Sequence, residues 1–303
     1  MRIAVLGSGG IGGYYGARLA QGGHDVVFVA RGAHLEAMQR NGLTIRTPSG
    51  GSATVPVIAV ENTRGVHAVE LVLFCVKSYD TEPAARLLEP LMSPQTAVLT
   101  LQNGLDNAAA LAAVIGREAV LAGAVYVALQ LEGPGVIRHG GGDGKIVFGE
   151  RGGAVTDRVR RIVAALEDGH VPHAVSPDIE RVLWEKFLFI TGIGAVTALA
   201  RSGVGPLVAS AEGHGLLTAS CAEVAAVARA EGHALQPDAM VAQAAALPPE
   251  WRSSMARDLE DGRRLEVDAL SGSVVRRGRR HDIPTPVHQT ILACLSLPHG
   301  RTS

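Results

Sequence analysis

"RIAVLGSGGIGGYYGARLAQGGHDVVFVARGAH" (residues 2–34) decides the fold. "RIAVL" is a short apolar run rich in β-branched residues, which suits a strand buried on both faces. Gly7-Ser8-Gly9-Gly10-Ile11-Gly12 follows at once and fits the spacing G-x-G-x-x-G. "IGGYYGARLAQGG" then reads as a helix closed by glycine, and "DVVFVA" as a second strand. In this strand–turn–helix–strand setting the pattern specifies a dinucleotide-binding turn rather than a merely flexible loop. Gly7 permits the tight turn, Gly9 lets the backbone approach a pyrophosphate, and Gly12 lets the helix sit close on the strand. Free N–H groups of Ser8, Gly10 and Ile11 and the positive end of the helix would face the phosphates.

The end of the second strand selects the dinucleotide. An NAD site places Asp or Glu there, about 20 residues past the glycines, against the ribose 2′-OH. This sequence supplies Arg31 and no acid nearby in the chain. A guanidinium suits a 2′-phosphate, so the expected cofactor is NADP, in its reduced form NADPH. An ordinary surface arginine remains the alternative at this point.

Beyond residue 34, strand-like and helix-like segments keep alternating: "VELVLFCVK", "EPAARLLEPLM", "TAVLTLQNG", "AALAAVIG" and "EAVLAGAVYVALQ". "GVIRHGGGDGKIVFGE" reads as a hairpin joined by "GGGDG". Such alternation predicts an α/β fold with a doubly wound Rossmann-type sheet. Lys77 and Asn103 end two of the strands, which would place them on the cofactor edge. Asn103-Gly104 is equally readable as a turn. After "VPHAVSPDIE" the strand signals fade and alanine-rich helical stretches take over. The division expected is a NADP-binding domain over residues 1–172 and an all-helical domain over 173–303.

Lys186 stands out in the second half. It lies on a helical stripe with Ile179, Leu183, Ile190 and Ile193, and no other charge follows before Arg201. Its amine either snorkels to solvent at the end of a packed helix or sits in a partly apolar site. In the second case desolvation lowers its pKa toward working pH and makes it a general acid.

Composition removes other classes. Lys+Arg 28 against Asp+Glu 29 gives a net charge of -1, so no basic excess points to nucleic acid or an anionic membrane. Hydrophobic residues at 47% and charged residues at 19% describe packed cores. Cys75, Cys221 and Cys294 are scattered, without metal-ligand spacing, and read as reduced core thiols. No signal peptide is read at the N-terminus, and the uncharged stretch 187–200 is short for a membrane span. A soluble cytoplasmic protein with no metal is expected, with a homodimer left open.

Eight motifs in order resemble the ketopantoate reductase (2-dehydropantoate 2-reductase) family along nearly the whole chain. They are "LGSGGIGGYYGARL", "VARGAHLEAM", "VKSYDT", "LQNGLDN", "LEGPGVIRH", "LWEKFLF", "SSMARDLEDGRRLEVDALSG" and "HDIPTP". The resemblance implies NADPH-dependent reduction of a small 2-oxo acid in a cleft between a Rossmann domain and a helical one. It further implies that Lys186 is the proton donor and that Glu266 holds the nicotinamide ribose and helps order the lysine. Ser254 would contact substrate, Asn103 would lie between cofactor and substrate, and Arg31 and Lys77 would lie near the 2′-phosphate and the cleft.

The chain departs from the family where asparagines are expected. It carries Ile190, Gly194, Val204 and Trp251 at those places. If they line the substrate pocket, it is more apolar than the family type. A 2-hydroxy acid dehydrogenase for branched or aromatic substrates is therefore the alternative enzyme. A non-catalytic NADP sensor is a third reading, opposed by the joint presence of Lys186, Glu266, Asn103 and Ser254.

Overall fold

The computed structural model describes residues 1–297. The chain divides into two compact units, residues 1–102 with 107–180, and residues 103–106 with 181 onward.

The first unit opens with β1 (Arg2–Leu6), α1 (Gly10–Gln21), β2 (Asp25–Val29) and α2 (Gly32–Asn41). β3 (Leu43–Arg46), β4 (Ser52–Val55) and β5 (Ile58–Val60) follow, then β6 (Leu71–Phe74), α3 (Thr81–Ala85), β7 (Ala97–Thr100) and α4 (Asn107–Ile115). The unit ends with β8 (Val120–Gly133), β9 (Val136–Gly149), α5 (Asp157–Asp168) and β10 (His173–Val175). The sheet order is β4-β3-β9-β8-β7-β6-β1-β2-β5, with β10 added on β9. From β5 through β8 every neighbouring pair is parallel.

Alternation along the strands feeds two cores. Ile3, Val5, Leu71 and Leu73 point to the face covered by Tyr15, Leu19, Val159 and Ile162 of α1 and α5. Ala4, Leu6, Val72 and Phe74 point to the opposite face, with Ala84, Ala85 and Leu111 of α3 and α4. Burial on both faces is why these strands read as unbroken apolar runs. The helices on both faces make the sheet doubly wound.

Three readings change. The glycine-rich "GGGDG" does not join a hairpin. β9 runs through it, and β9 pairs antiparallel with β8 across the turn at Pro134-Gly135. Its glycines absorb a register shift opposite Tyr126–Ala128, with positive φ at Gly141, Gly142 and Gly144. A bulge needs the same backbone freedom as a turn, so composition alone does not separate them. The unit boundary falls at Glu180, after the 172/173 division read from the sequence, because β10 pairs parallel with β9 and stays in the first unit. Of the cysteines only Cys221 is fully in a core; Cys75 is partly buried and Cys294 is exposed.

The regular elements of the second unit are helices, with no strand among its described residues. α6 (Ile179–Phe187) continues through a π-helical segment, Leu188–Ile193, into α7 (Gly194–Ala200). α8 (Val204–Ala209), α9 (Ala211–Ala230), α10 (Pro237–Ala245) and α11 (Ser254–Glu260) follow. A second π-helical segment, Asp268–Gly272, leads into α12 (Ser273–Arg280), and α13 (Pro286–Ser296) closes the unit. α9 is central. Leu217, Cys221, Val224 and Ala228 are all fully buried along one stripe, and Gly232 at φ +88° ends the helix with His233 N–H donating to Ala228 O at 2.8 Å. The helical run Ile179–Ala200 is long and apolar enough to cross a membrane, but most of it is buried within the protein.

Candidate active site

The glycine turn fits a dinucleotide sterically. Gly7 has φ +90°, and a Cβ there would lie 2.5 Å from Val76 N. A Cβ on Gly12 would lie 2.3 Å from Gly7 O. Both positions demand glycine for the turn and for the close approach of α1. Above Gly9 the space that a Cβ would enter is open, which is the room a pyrophosphate needs. Gly9 N-caps α1 without any side-chain cap, so the N–H groups of the first turn keep their capacity for an anion. The Ser8 side chain is engaged within the fold. Its hydroxyl is buried and donates to Val29 O at 2.8 Å, fastening the turn to β2. Gly10 and Ile11 form the start of α1.

Arg31 caps α2 just beyond β2 and its side chain is 80% exposed. The sequence offered no nearby acid, yet Asp80 Oδ2 lies 3.5 Å from Arg31 Nη2. Asp80 arrives from the far side of the glycine turn, in the 3-10 turn Ser78–Asp80 that follows β6. Lys77 precedes that turn and is partly exposed.

His34 was also not singled out. Its Nε2 lies 2.8 Å from Ser8 O, and Gly135 N–H donates to its Nδ1 at 2.9 Å. With Nδ1 accepting from Gly135, Nε2–H is the donor to Ser8 O, and the ring pins the glycine turn to the β8–β9 turn. Its helical spacing of three from Arg31 was the only available signal.

Gln102 braces the ends of two strands. Its amide donates to Val76 O at 3.0 Å and to the Thr81 hydroxyl at 2.8 Å. The next residues, Asn103–Asp106, group with the second unit. Asp106 there accepts the Ser273 hydroxyl at 3.0 Å and pairs with Arg277, and Leu105 packs on the helical core. These contacts hold Asn103, which is partly exposed, on a fixed stretch rather than in a free turn. Gly104, at φ +107°, supplies the bend behind it.

In the second unit Lys186 occupies the last turn of α6, directly before one π-helical segment. Glu266 is buried at 8% exposure and lies just before the other. π-Helical turns are rare and cluster at functional sites, because the widened turn re-aims side chains. Burial pushes the Lys186 pKa down to about 8, and the Glu266 carboxylate opposes part of that shift. The result is an ammonium that is charged at neutral pH and gives up its proton with little further cost. His288 helps hold the segment after Glu266. It is fully buried, its Nδ1 lies 3.2 Å from the Ser271 hydroxyl, and its Nε2 lies 3.1 Å from Ser220 O. Burial pushes its pKa down to about 4, so it stays a neutral strut.

The adjacent serines divide their roles. Ser253 is buried, N-caps α11 by accepting Ala256 N–H, and donates to Gly194 O at 2.7 Å. Ser254 is exposed at the first position of α11.

The four departures do not form one pocket wall. Val204 is 1% exposed and sits in the helical core. Gly194 is buried as well, and a Cβ there would lie 3.0 Å from Ser253 Cβ. These two positions cannot present an apolar surface to a ligand. Ile190 and Trp251 remain partly exposed, with the Trp251 ring 5.2 Å from that of Phe189. No cluster capable of holding a metal occurs among the described residues.

Comparison with known proteins gives agreeing results for both units. The family model described as ketopantoate reductase PanE/ApbA matches residues 3–153, and its C-terminal counterpart matches residues 178–298. The chain is 39% identical over 295 residues to a 2-dehydropantoate 2-reductase of Halobacterium salinarum, covering 96% of each. A crystal structure of a PanE/ApbA family ketopantoate reductase from Ralstonia eutropha superposes with a TM-score of 0.90 at 35% identity, covering 98% of this chain and 97% of that one. A D-mandelate dehydrogenase solved with NADH and anilino(oxo)acetate shares the fold at a TM-score of 0.90 and 20% identity, covering 98% and 97%.

Proposed function

The chain belongs to the ketopantoate reductase PanE/ApbA family, and on that premise we propose that it reduces a 2-oxo acid to the 2-hydroxy acid with NADPH. The reference reaction is ketopantoate to pantoate. The family is one of pyridine-nucleotide-dependent oxidoreductases acting on a CH–OH group of a small molecule. The observation that carries the proposal is the partly buried Lys186 ammonium, whose pKa burial lowers to about 8 while the Glu266 carboxylate opposes part of the shift.

When bound, a reduced nicotinamide supplies a hydride to the carbonyl carbon, and the carbonyl oxygen gains negative charge. Lys186 Nζ stabilises that charge and transfers its proton to the oxygen, which completes the hydroxyl. Glu266 keeps Lys186 protonated until that moment by opposing its desolvation. Asn103 and Ser254 offer an amide and a hydroxyl for the substrate's carboxylate and keto oxygen. The glycine turn, with Ser8 and Ile11 backbone, receives the pyrophosphate, Arg31 receives the 2′-phosphate, and Lys77 lies towards the cleft.

A second reading of substrate preference rests on Phe189, Ile190 and Trp251. These partly exposed apolar side chains follow Lys186 or pack on its helix. A branched or aromatic 2-oxo acid gains about 0.8 kcal/mol for each methylene buried against such a surface. NADPH consumption with ketopantoate, 2-oxoisovalerate and phenylpyruvate tests both readings. Reduction of at least one substrate is expected, with the apolar ones within about tenfold of ketopantoate in kcat/KM, or above it. A hundredfold preference for ketopantoate removes the apolar reading. NADPH binding without consumption on any 2-oxo acid leaves the non-catalytic sensor.

A further inference from the structure

The Arg31–Asp80 pair joins the two flanks of the glycine turn. In the sheet, β6, β1 and β2 are consecutive neighbours, so the turn after β1 lies between the ends of the other two. Arg31 follows β2 and Asp80 follows β6, and their side chains meet at 3.5 Å. Their freedoms differ. The Arg31 side chain is 80% exposed, whereas that of Asp80 is 36% exposed on a backbone whose N–H donates to Lys77 O at 2.8 Å. The carboxylate is the less exposed member, held on a hydrogen-bonded turn, and it sits beside the guanidinium that follows β2.

We propose that Asp80 is a specificity-determining residue that limits how strongly the site prefers NADPH over NADH. The proposal rests on the reading of Arg31 as the 2′-phosphate residue. A 2′-phosphate drawn to Arg31 carries close to two negative charges and meets the repulsion of the Asp80 carboxylate. A ribose 2′-OH meets no repulsion and can donate a hydrogen bond to the same oxygen, the arrangement by which an acid at a strand end favours NAD. Asp80 therefore weakens one cofactor and supports the other. It does so from a turn remote in sequence from Arg31, which is why the acid does not stand out beside the β2 end.

Dissociation constants for NADPH and NADH, measured by titration calorimetry on the full chain, test this without reference to turnover. Asp80→Asn removes the charge at nearly constant shape and is expected to raise the NADPH-over-NADH affinity ratio by about three- to tenfold. Asp80→Glu keeps the charge and should stay within about twofold of the parent ratio. Arg31→Ala should lower that ratio. A fall in the Arg31→Ala ratio with no rise for Asp80→Asn overturns the role of Asp80 alone. An unchanged ratio in Arg31→Ala overturns the reading of Arg31, and the present proposal with it. Equal changes for both cofactors in Asp80→Asn mean a purely structural role and overturn the proposal too.

Discussion

Replacing Lys186 with alanine or methionine is expected to lower turnover of a 2-oxo acid by about 10²–10⁴-fold, the usual contribution of a positioned general acid, while NADPH affinity stays near that of the parent. The variants should also be more stable than the parent. The folded-state pKa of Lys186 is lowered from 10.5 to about 8 by burial. Between those values the unfolded chain binds more protons than the folded one, so the penalty is fully present below pH 8 and fades as pH rises toward 10.5. Allowing for partial exposure of the side chain, relief of that penalty is worth about 2 kcal/mol at pH 7. A variant that is more stable and nearly inactive excludes unfolding as the cause. The same pKa sets the pH profile: kcat/KM for reduction by the parent should decline above about pH 8 as Lys186 loses its proton. If Lys186→Met keeps turnover within about threefold, Lys186 is only a snorkelling lysine at a core rim.

Arg31→Ala is expected to weaken NADPH binding by about 10- to 150-fold, the value of a charge-assisted arginine–phosphate contact of roughly 1.5–3 kcal/mol. NADH binding should change little, because it has no 2′-phosphate to lose. The opposing carboxylate of Asp80, 3.5 Å from the guanidinium, places the expected effect toward the lower end of that range. Michaelis constants for both cofactors, at a fixed saturating 2-oxo acid, report the difference. Equal losses with both would show that Arg31 does not read the 2′-phosphate.

What the sequence revealed follows from where each signal is stored. The Rossmann half was legible because Gly7, Gly9 and Gly12 encode a turn through local sterics, and because strands buried on both faces, such as Arg2–Leu6 and Leu71–Phe74, read as unbroken apolar runs. The strands Leu43–Arg46, Ser52–Val55 and Ile58–Val60 were not legible. They are short and partly exposed, and Leu43–Arg46 owes one of its two pairings to β9, far along the chain. The α9 stripe of Leu217, Cys221, Val224 and Ala228 was legible as plain helical periodicity. The π-helical segment after Lys186 was not, since a regular 3.6-residue spacing through Ile190 and Ile193 gives no hint of a widened turn. That widening helps explain why Ile193 is fully buried while Ile190 is partly exposed. Asp80 and Gln102 escaped notice because their partners, Arg31 and Val76, come from other strands. The four missing asparagines looked equivalent in sequence. Only packing separates buried Gly194 and Val204 from partly exposed Ile190 and Trp251.

Transfer of label from NADPH deuterated at both C4 positions of its nicotinamide tests the central claim most directly. With ketopantoate, or whichever 2-oxo acid the parent reduces fastest, proton and deuterium NMR should show one deuterium at C2 of the 2-hydroxy acid for each NADPH oxidised. Lys186→Met should slow that appearance without moving the label. NADPH oxidised with no deuterium at C2, or bound with no hydroxy acid formed, would contradict the account.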